Sequence, residues 1–443
     1  MNARRTFLIS LTVYLILAGL VSVMTPLGEA PDEADHYAYA RYIALHHALP
    51  QGPEVTQGKH PPLYHTLAAL AGGWTGMGLF LQPNPDVFPI RTDGPANFFI
   101  HGPEEGFPWR DGPLAFHLAR LLSVLLGGAT LWGAWRIGAE AFPRHPEIGL
   151  MAAAFLAGLP GYLYISGAMN NDNAVGAFGA LALLIMVRII RQGLSLHRTL
   201  ALGIVFGLGL LSKVGMLSLW PLAALALIAP IWPQRHQVEA WGQAGLHVLA
   251  AWGMGLLVAS PWLLRNWRLY GDPLGWGLVR QTVDLREGPV DLAVLFWLGK
   301  GLFTYFWGRF GAIGQIFLPG WAYLLAGLLS LALLTGILYF LVRRPSPAPP
   351  QVFLILLLVG APALTLAGVI RYTAIALGTD QARLMWPSIA VIGVWVGVGL
   401  AGWLEMLGLT SRLRAWTLGL GMLIAASLVA LATLFLLVRP ALW

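Results

Sequence analysis

Residues 7–36 read FLISLTVYLILAGLVSVMTPLGEAPDEADH. The apolar run from Phe7 to Met24 is long enough to cross a bilayer, which takes about 20 such residues. Pro31-Asp32-Glu33-Ala34-Asp35 and His36 follow almost at once. Three carboxylates and an imidazole beside a membrane are costly unless they face water or bind something. A cleaved signal peptide would have a shorter apolar stretch and a small-residue cleavage site. The run after Arg4 and Arg5 is therefore read as an uncleaved first helix. A second polar knot, Lys59-His60-Pro61-Pro62-Leu63-Tyr64-His65, lies further along the same loop. Together the two knots suggest an active site at a membrane surface.

The composition agrees. Hydrophobic residues make up 57% of the 443 and charged residues 11%, where a soluble domain carries about 25% charged residues. Mean hydropathy is +0.69. The chain reads as an all-α polytopic membrane protein, a single transmembrane domain over residues 1–443. The absence of cysteine excludes disulfides and thiolate metal sites. The net charge of +7 is spread over short loops, so positive-inside topology explains it better than a nucleic-acid partner.

About 11 spans are expected, at residues 6–26, 114–137, 147–167, 172–190, 199–212, 214–232, 244–264, 321–342, 352–370, 384–404 and 415–437. Arg4 and Arg5 place the N-terminus in the cytoplasm, and alternation brings Arg136, Arg144, Arg188, Arg191, Arg198, Arg235, Arg343, Arg344, Arg412 and Arg414 to the same side. That side carries 12 basic and 4 acidic residues, the other 15 and 16. Independent loops thus favour one orientation in an inner (plasma) membrane. Two outer loops are long, residues 27–113 and 265–319, and within the second, 290–306 reads as an interfacial or re-entrant helix. Pro345-Ser346-Pro347-Ala348-Pro349-Pro350 reads as a stiff inner linker.

In the first loop, Pro31 suits the first turn of a helix. Ala34 to His47 then reads as an amphipathic helix on the membrane, with Tyr37, Tyr39 and Tyr42 as interfacial aromatics. The helix dipole favours ionised Asp32 and Glu33 in its first turn, and Asp32 and His36, four apart, share a face. An ionised carboxylate there can serve as a general base. Two carboxylates with an imidazole could also hold a divalent cation. The plainer alternative is an acidic helix start that is merely solvated. The double proline after His60 stiffens the entry to a following helix and aims Lys59 and His60, or simply punctuates the loop.

An acidic pair after the first span, followed by a basic-Pro-Pro-Leu-Tyr motif in the same loop, resembles GT-C-fold glycosyltransferases. Protein O-mannosyltransferases and lipid A aminoarabinose transferases carry similar elements; here His60 stands at the family's Lys position, with Lys59 before it. Ala119-Arg120-Leu121-Leu122-Ser123 is similar to the Arg-Leu start of the family's second span, and Leu210-Leu211-Ser212-Lys213-Val214-Gly215 to its Leu-Leu-Thr-Lys-Gly turn. Asn171-Asp172-Asn173, Arg265-Asn266-Trp267, Phe306-Trp307-Gly308-Arg309-Phe310-Gly311 and Asp380-Gln381-Ala382-Arg383-Leu384 are closer to a bacterial membrane-protein family of the same layout. Ala382 and Leu384 depart from that family's Gln-Gly-Arg-Tyr element.

The resemblance implies a polyprenyl-phosphate-linked sugar donor, a hydroxyl acceptor that is a lipid, glycan or protein, an outward-facing site, and inversion at the anomeric carbon. Such a donor needs a base for the acceptor hydroxyl and cations for the departing phosphate. Asp32 is the first choice as base, with Glu33 close behind. Asp172 could supply a second carboxylate for acceptor or metal, unless Asn170 to Asn173 form only a polar turn. Lys213, Arg265, Arg309 and Arg383 each sit near an outer span end, where arginine suits phosphate; snorkelling to headgroups is the plainer reading of each. His36, His60 and Lys59 could assist at the phosphate. A divalent ion on Asp32 and Asp172 is the one cofactor considered, and membrane lipids are the surrounding partners. The competing functions are a lipid or polysaccharide transporter or flippase, and a non-catalytic envelope-assembly subunit. Transporters place ionisable residues near the midplane, whereas here the predicted spans hold almost no charge.

Overall fold

The structure, a computed structural model, describes residues 3–87, 96–343, 348–409 and 412–442; for 412–418 and 422 only the backbone is described. In chain order the helices are α1 (Ala3–Met24), α2 (Glu33–His46), α3 (Leu63–Gly72), α4 (Asp111–Ala141), α5 (Glu147–Gly158), α6 (Pro160–Ser166), α7 (Asp172–Gln192), α8 (Leu196–Leu210), α9 (Trp220–Ile228) and α10 (Val238–Tyr270). They continue as α11 (Trp276–Gln281), α12 (Leu292–Gly308), α13 (Gly320–Val342), α14 (Pro349–Thr373), α15 (Ile389–Met406), α16 (Arg412–Thr433) and α17 (Arg439–Leu442). The chain is an all-α multi-pass membrane protein. Among the described residues, nine stretches are long and apolar enough to cross a bilayer, or ten if the bent pair α5 and α6 is one span.

The count falls short of the expected 11 for a physical reason. The segment expected at 199–212 is α8, 15 residues long, or about 22 Å at 1.5 Å per residue. That is less than a hydrocarbon core of about 30 Å. The segment expected at 147–167 bends by 69° between α5 and α6. Pro160 follows the break; it lacks the N–H that would continue α5, and it disfavours helical backbone at Leu159. Leu159 accordingly takes an extended conformation.

α4 is the central post, packed by α1, α3, α5, α7 and α15. Small residues let these backbones approach closely, as is usual where lipid offers no hydrophobic drive between helices. A Cβ on Gly149 would lie 2.1 Å from the Trp135 carbonyl, and one on Gly402 would lie 1.9 Å from that of Gly336. Leucines such as Leu246, Leu249 and Leu257 on α10, and Leu324, Leu328 and Leu331 on α13, point outward, as a lipid-facing surface requires. One end of the bundle carries α2, α3 and the N-termini of α4 and α7. At the opposite end Glu140 accepts from Arg136 (2.6 Å) and Arg188 (2.8 Å).

Two expectations about the loops change. α2 forms nearly where predicted, but it is roofed by protein instead of lying on lipid. Tyr37 and Tyr39 are buried, their hydroxyls donating to the carbonyls of Gly78 (2.9 Å) and His60 (3.3 Å). Periodicity alone cannot distinguish a protein roof from a lipid surface. The linker expected at Pro345–Pro350 lies partly outside the described residues; its last two prolines open α14, where a missing N–H costs nothing. In the second loop the helix expected at 290–306 is α12, capped by Asp291, whose side chain accepts from the Val294 N–H at 2.9 Å. A two-stranded hairpin of Arg309–Phe310 and Ile316–Phe317 follows it.

A buried clasp fastens the first loop to the end of α1. His101 bridges Glu29 (3.1 Å) and Glu105 (2.9 Å), and all three side chains are at most 5% exposed. Glu29 also accepts the Phe99 N–H at 2.8 Å. Burial alone would drive the proton off His101, but Glu105 and Glu29 outweigh it and its pKa is pushed up to about 9. An unfolded histidine titrates near about 6.5. The clasp's contribution is therefore full below that pH and lost as pH rises through about 9. Thermal unfolding in detergent is expected to separate wild type from His101→Gln at pH 6 to 7, with the gap closing above about pH 9. A gap that does not change with pH would refute the protonated clasp.

Candidate active site

Asp32 stands at the turn between α1 and α2 with φ 59° and ψ 9°. Such left-handed backbone is uncommon outside glycine, though Asp and Asn tolerate it best, and it tends to mark functional sites. The turn is held from several sides. Asn170 Nδ2 donates to the Pro31 carbonyl at 3.1 Å. The Tyr164 hydroxyl, on α6, donates to the Glu29 carbonyl at 2.9 Å and accepts the Gly311 N–H at 3.0 Å. So constrained, the Asp32 side chain stays 40% exposed while its neighbour Glu33 is driven inward.

Glu33 is fully buried against Arg120 of α4. The pair is bidentate, at 2.8 and 2.7 Å, and Glu33 also accepts the backbone N–H groups of Gly28 (3.1 Å) and Met169 (2.7 Å). Arg120 spends its remaining donors on the carbonyls of Ser22, Thr25 and Pro26. Both carboxylate oxygens of Glu33 are thus engaged by the fold, and neither opens to a reactant.

The cations converge on Asp32. Arg383, in the 3-10 turn Ala382–Ser388 that leads into α15, donates to Asp32 at 2.5 Å and to Asp172 at 2.9 Å. Its Nε donates to Gln381 Oε1 at 2.7 Å. Asp172 opens α7, is fully buried, and accepts from Lys213 at 2.6 Å. The stretch Asn170 to Asn173 is therefore no solvated turn: all four side chains are buried, and Asn171 Nδ2 donates to the Ser212 carbonyl at 3.1 Å to fix the Lys213 turn beside Asp172. Residues from the α1–α2 turn, the start of α7, the end of α8 and the approach to α15 meet in one chain of ion pairs.

Electrostatics follow from this crowding. Burial works against ionisation of Asp32, but Arg383, with Lys213 and Lys59 behind it, more than offsets that and holds its carboxyl below the usual range. Asp35 is raised by burial and by the Asp32 charge, with Lys59 opposing. Burial lowers Lys59 more than Asp32 and Asp35 can restore. Its ammonium donates to the Thr282 carbonyl at 3.3 Å. His36 and His60 fall well below the usual imidazole range through burial and neighbouring charges. His36 Nδ1 lies 2.8 Å from His65 Nε2. These imidazoles are uncharged at neutral pH, so they add dipoles and not charge.

Two residues singled out from the sequence lie outside the run of ion pairs through Asp32. Arg265 donates to the carbonyls of Pro50 (2.7 Å) and Leu49 (3.3 Å), docking the first loop on α10. Arg309 pairs with Asp380 at 3.3 Å at the edge of the cluster. Asp32 and Asp172, the pair considered for a divalent ion, have a cation between them. A guanidinium already bridges Asp32 and Asp172, and among the described residues no three His, Asp or Glu side chains converge as ligands. Sequence reading quoted Arg120, His65, Gln381 and Asp380 within its motifs but gave none of them a role.

Residues 116–264 match the family described as dolichyl-phosphate-mannose-protein mannosyltransferase. No curated protein matches the chain in sequence. Among solved structures, ArnT from Cupriavidus metallidurans bound to undecaprenyl phosphate is similar over 98% of this chain and 73% of its own, at 13% identity and a TM-score of 0.56. The archaeal oligosaccharyltransferase AglB from Archaeoglobus fulgidus, in complex with an inhibitory peptide and a dolichol-phosphate, is similar over 98% of this chain and 55% of its own, at 12% identity and a TM-score of 0.52. The chain thus spans about half the length of the archaeal enzyme. Its architecture is the GT-C fold of membrane glycosyltransferases.

Proposed function

We propose that the chain transfers a sugar from a polyprenyl-phosphate-linked donor to a hydroxyl acceptor at the outer face of an inner (plasma) membrane, with the N-terminus cytoplasmic. The observation that carries this reading is the run of ion pairs through Asp32, Arg383, Asp172 and Lys213, with an exposed carboxylate at one end. The two structural neighbours, solved with undecaprenyl phosphate and dolichol-phosphate, support a lipid-phosphate donor.

Asp32 is the base. Its carboxyl, held below the usual range, is ionised at neutral pH and ready to accept a proton. The acceptor oxygen attacks the anomeric carbon, its proton passes to Asp32, and the bond from that carbon to the phosphate oxygen breaks, leaving its electron pair on the phosphate. A single displacement inverts the anomeric carbon. Arg383 links the two events: as Asp32 gains the proton it loses its charge, and the guanidinium nitrogen that held it becomes available while negative charge grows on the phosphate. Lys213 and Lys59 add positive potential. Asp172 holds Lys213 and Arg383 in place. Glu33 is read as structural and Arg265 as a loop anchor.

The test is consumption of donor. Purified chain in liposomes, given a panel of undecaprenyl-phosphate sugars and envelope lipids as acceptors, is expected to release undecaprenyl phosphate. No consumption of any donor by wild type would defeat the reading.

A further inference from the structure

The site cations are paired before any donor arrives. Arg383 holds Asp32 and Asp172 at 2.5 and 2.9 Å, and Lys213 holds Asp172 at 2.6 Å. Arg309 holds Asp380 at 3.3 Å, the longest of these four contacts. An entering phosphate that is to touch a guanidinium must therefore displace a carboxylate, and the four contacts are not equally replaceable. Asp172 is fully buried between two cations. Asp32 is needed as the base.

Asp380, though its side chain is only 11% exposed, has a single cation and no part in the proton transfer. Its side chain sits in the loop before the Arg383 turn, packed against α12 where Gly301 leaves room; a Cβ there would lie 2.3 Å from that of Asp380. Burial lifts its carboxyl above the usual range, and Arg309 reverses this only in part. Arg309 does not depend on Asp380 for its position. Its Nε donates to the Gly314 carbonyl at 2.5 Å, and its guanidinium carbon lies 4.6 Å from the Tyr305 ring centre and 4.4 Å from that of Phe317. Aromatic faces hold a guanidinium without consuming its outward N–H donors. Tyr305 is itself within electrostatic reach of Arg383 and Asp32, so this pair borders the same centre. The cation is fixed by hairpin and rings, and the carboxylate is the exchangeable partner.

We propose that Asp380 is a built-in counter-ion that competes with the donor's phosphate for Arg309 and so sets how tightly the site takes a lipid phosphate. The proposal rests on the transferase reading above. It predicts a gain on removing an acidic residue beside an active site, where a base, an acceptor ligand or a structural latch would each predict a loss.

The experiment measures binding of undecaprenyl phosphate to the purified full chain without turnover. Asp380→Asn and Asp380→Ser are expected to bind about two- to fivefold tighter than wild type, the worth of a weak ion pair. Arg309→Gln is expected to bind more weakly, and the gain from Asp380→Asn to vanish in the Arg309→Gln background. Tightening toward inorganic phosphate as well would support competition for the phosphate group itself. Tightening only toward phosphatidylglycerol vesicles would overturn the proposal, because Arg309 would then face bulk headgroups. Unchanged or weaker binding by both Asp380 variants, at a wild-type melting temperature, overturns it and leaves the transferase reading standing. Wild type that binds no undecaprenyl phosphate brings down both.

Discussion

Asp32→Asn is expected to lower the turnover of lipid-linked sugar by about 10²- to 10⁴-fold, the usual contribution of a general base, while the protein folds normally and still binds undecaprenyl phosphate. The fold should tolerate the change because Asp32 makes one ion pair from a side chain 40% exposed. Its removal orphans no buried charge, since Arg383 keeps Asp172 at 2.9 Å. The loss should fall on kcat, since the base acts only as the acceptor's proton moves. The sign of the pH dependence follows from the lowered carboxyl. Wild-type activity should persist on acidification down to at least the ordinary carboxylate range near about pH 4, and fall only below it. Measured turnover of Asp32→Asn within about threefold of wild type would exclude Asp32 as the base.

The second large effect is on stability. Glu33→Gln is expected to destabilise the protein by about 3–5 kcal/mol, because it leaves the Arg120 guanidinium uncompensated inside the bundle. The pair is fully buried, so solvent cannot relieve the loss. Arg120→Met should cost a similar amount by stranding Glu33, and the double change Glu33→Leu with Arg120→Met should recover part of it, since replacing both members removes the orphan. Unfolding in detergent reads this directly. It also separates the two acidic residues of the motif: a Glu33→Gln protein as stable as wild type but inactive would make Glu33 a participant in the chemistry and return it to candidacy as base.

The sequence made some of this legible and hid the rest for definite reasons. Spans were visible because hydropathy over about 20 residues is a coarse, robust signal. The gathering of Asp32, Asp172, Lys213 and Arg383 was approachable because each adjoins a span end, and alternation assigns span ends to sides. The role of Glu33 was not, because its partner Arg120 lies 87 residues away inside a predicted span, where a charge is read as an oddity and not as half of a pair. The Glu29–His101–Glu105 clasp was hidden because Glu29 and His101 stand 72 residues apart in one long loop, where neither hydropathy nor periodicity pairs them. Arg265 drew attention by position alone, yet its donors are spent on the backbone of Leu49 and Pro50. The expected metal was a reading of residue types. Which counter-ion a carboxylate meets depends on tertiary geometry, and here it is a guanidinium.

Tyr164 sits just past the 69° bend, and its one hydroxyl touches both the Glu29 turn and Gly311 in the hairpin that follows Arg309. That oxygen ties the turn carrying Asp32 to the hairpin turn beyond Arg309 through a single buried group. Loss of that one hydroxyl, as in Tyr164→Phe, would therefore loosen the Asp32 turn and the hairpin turn together.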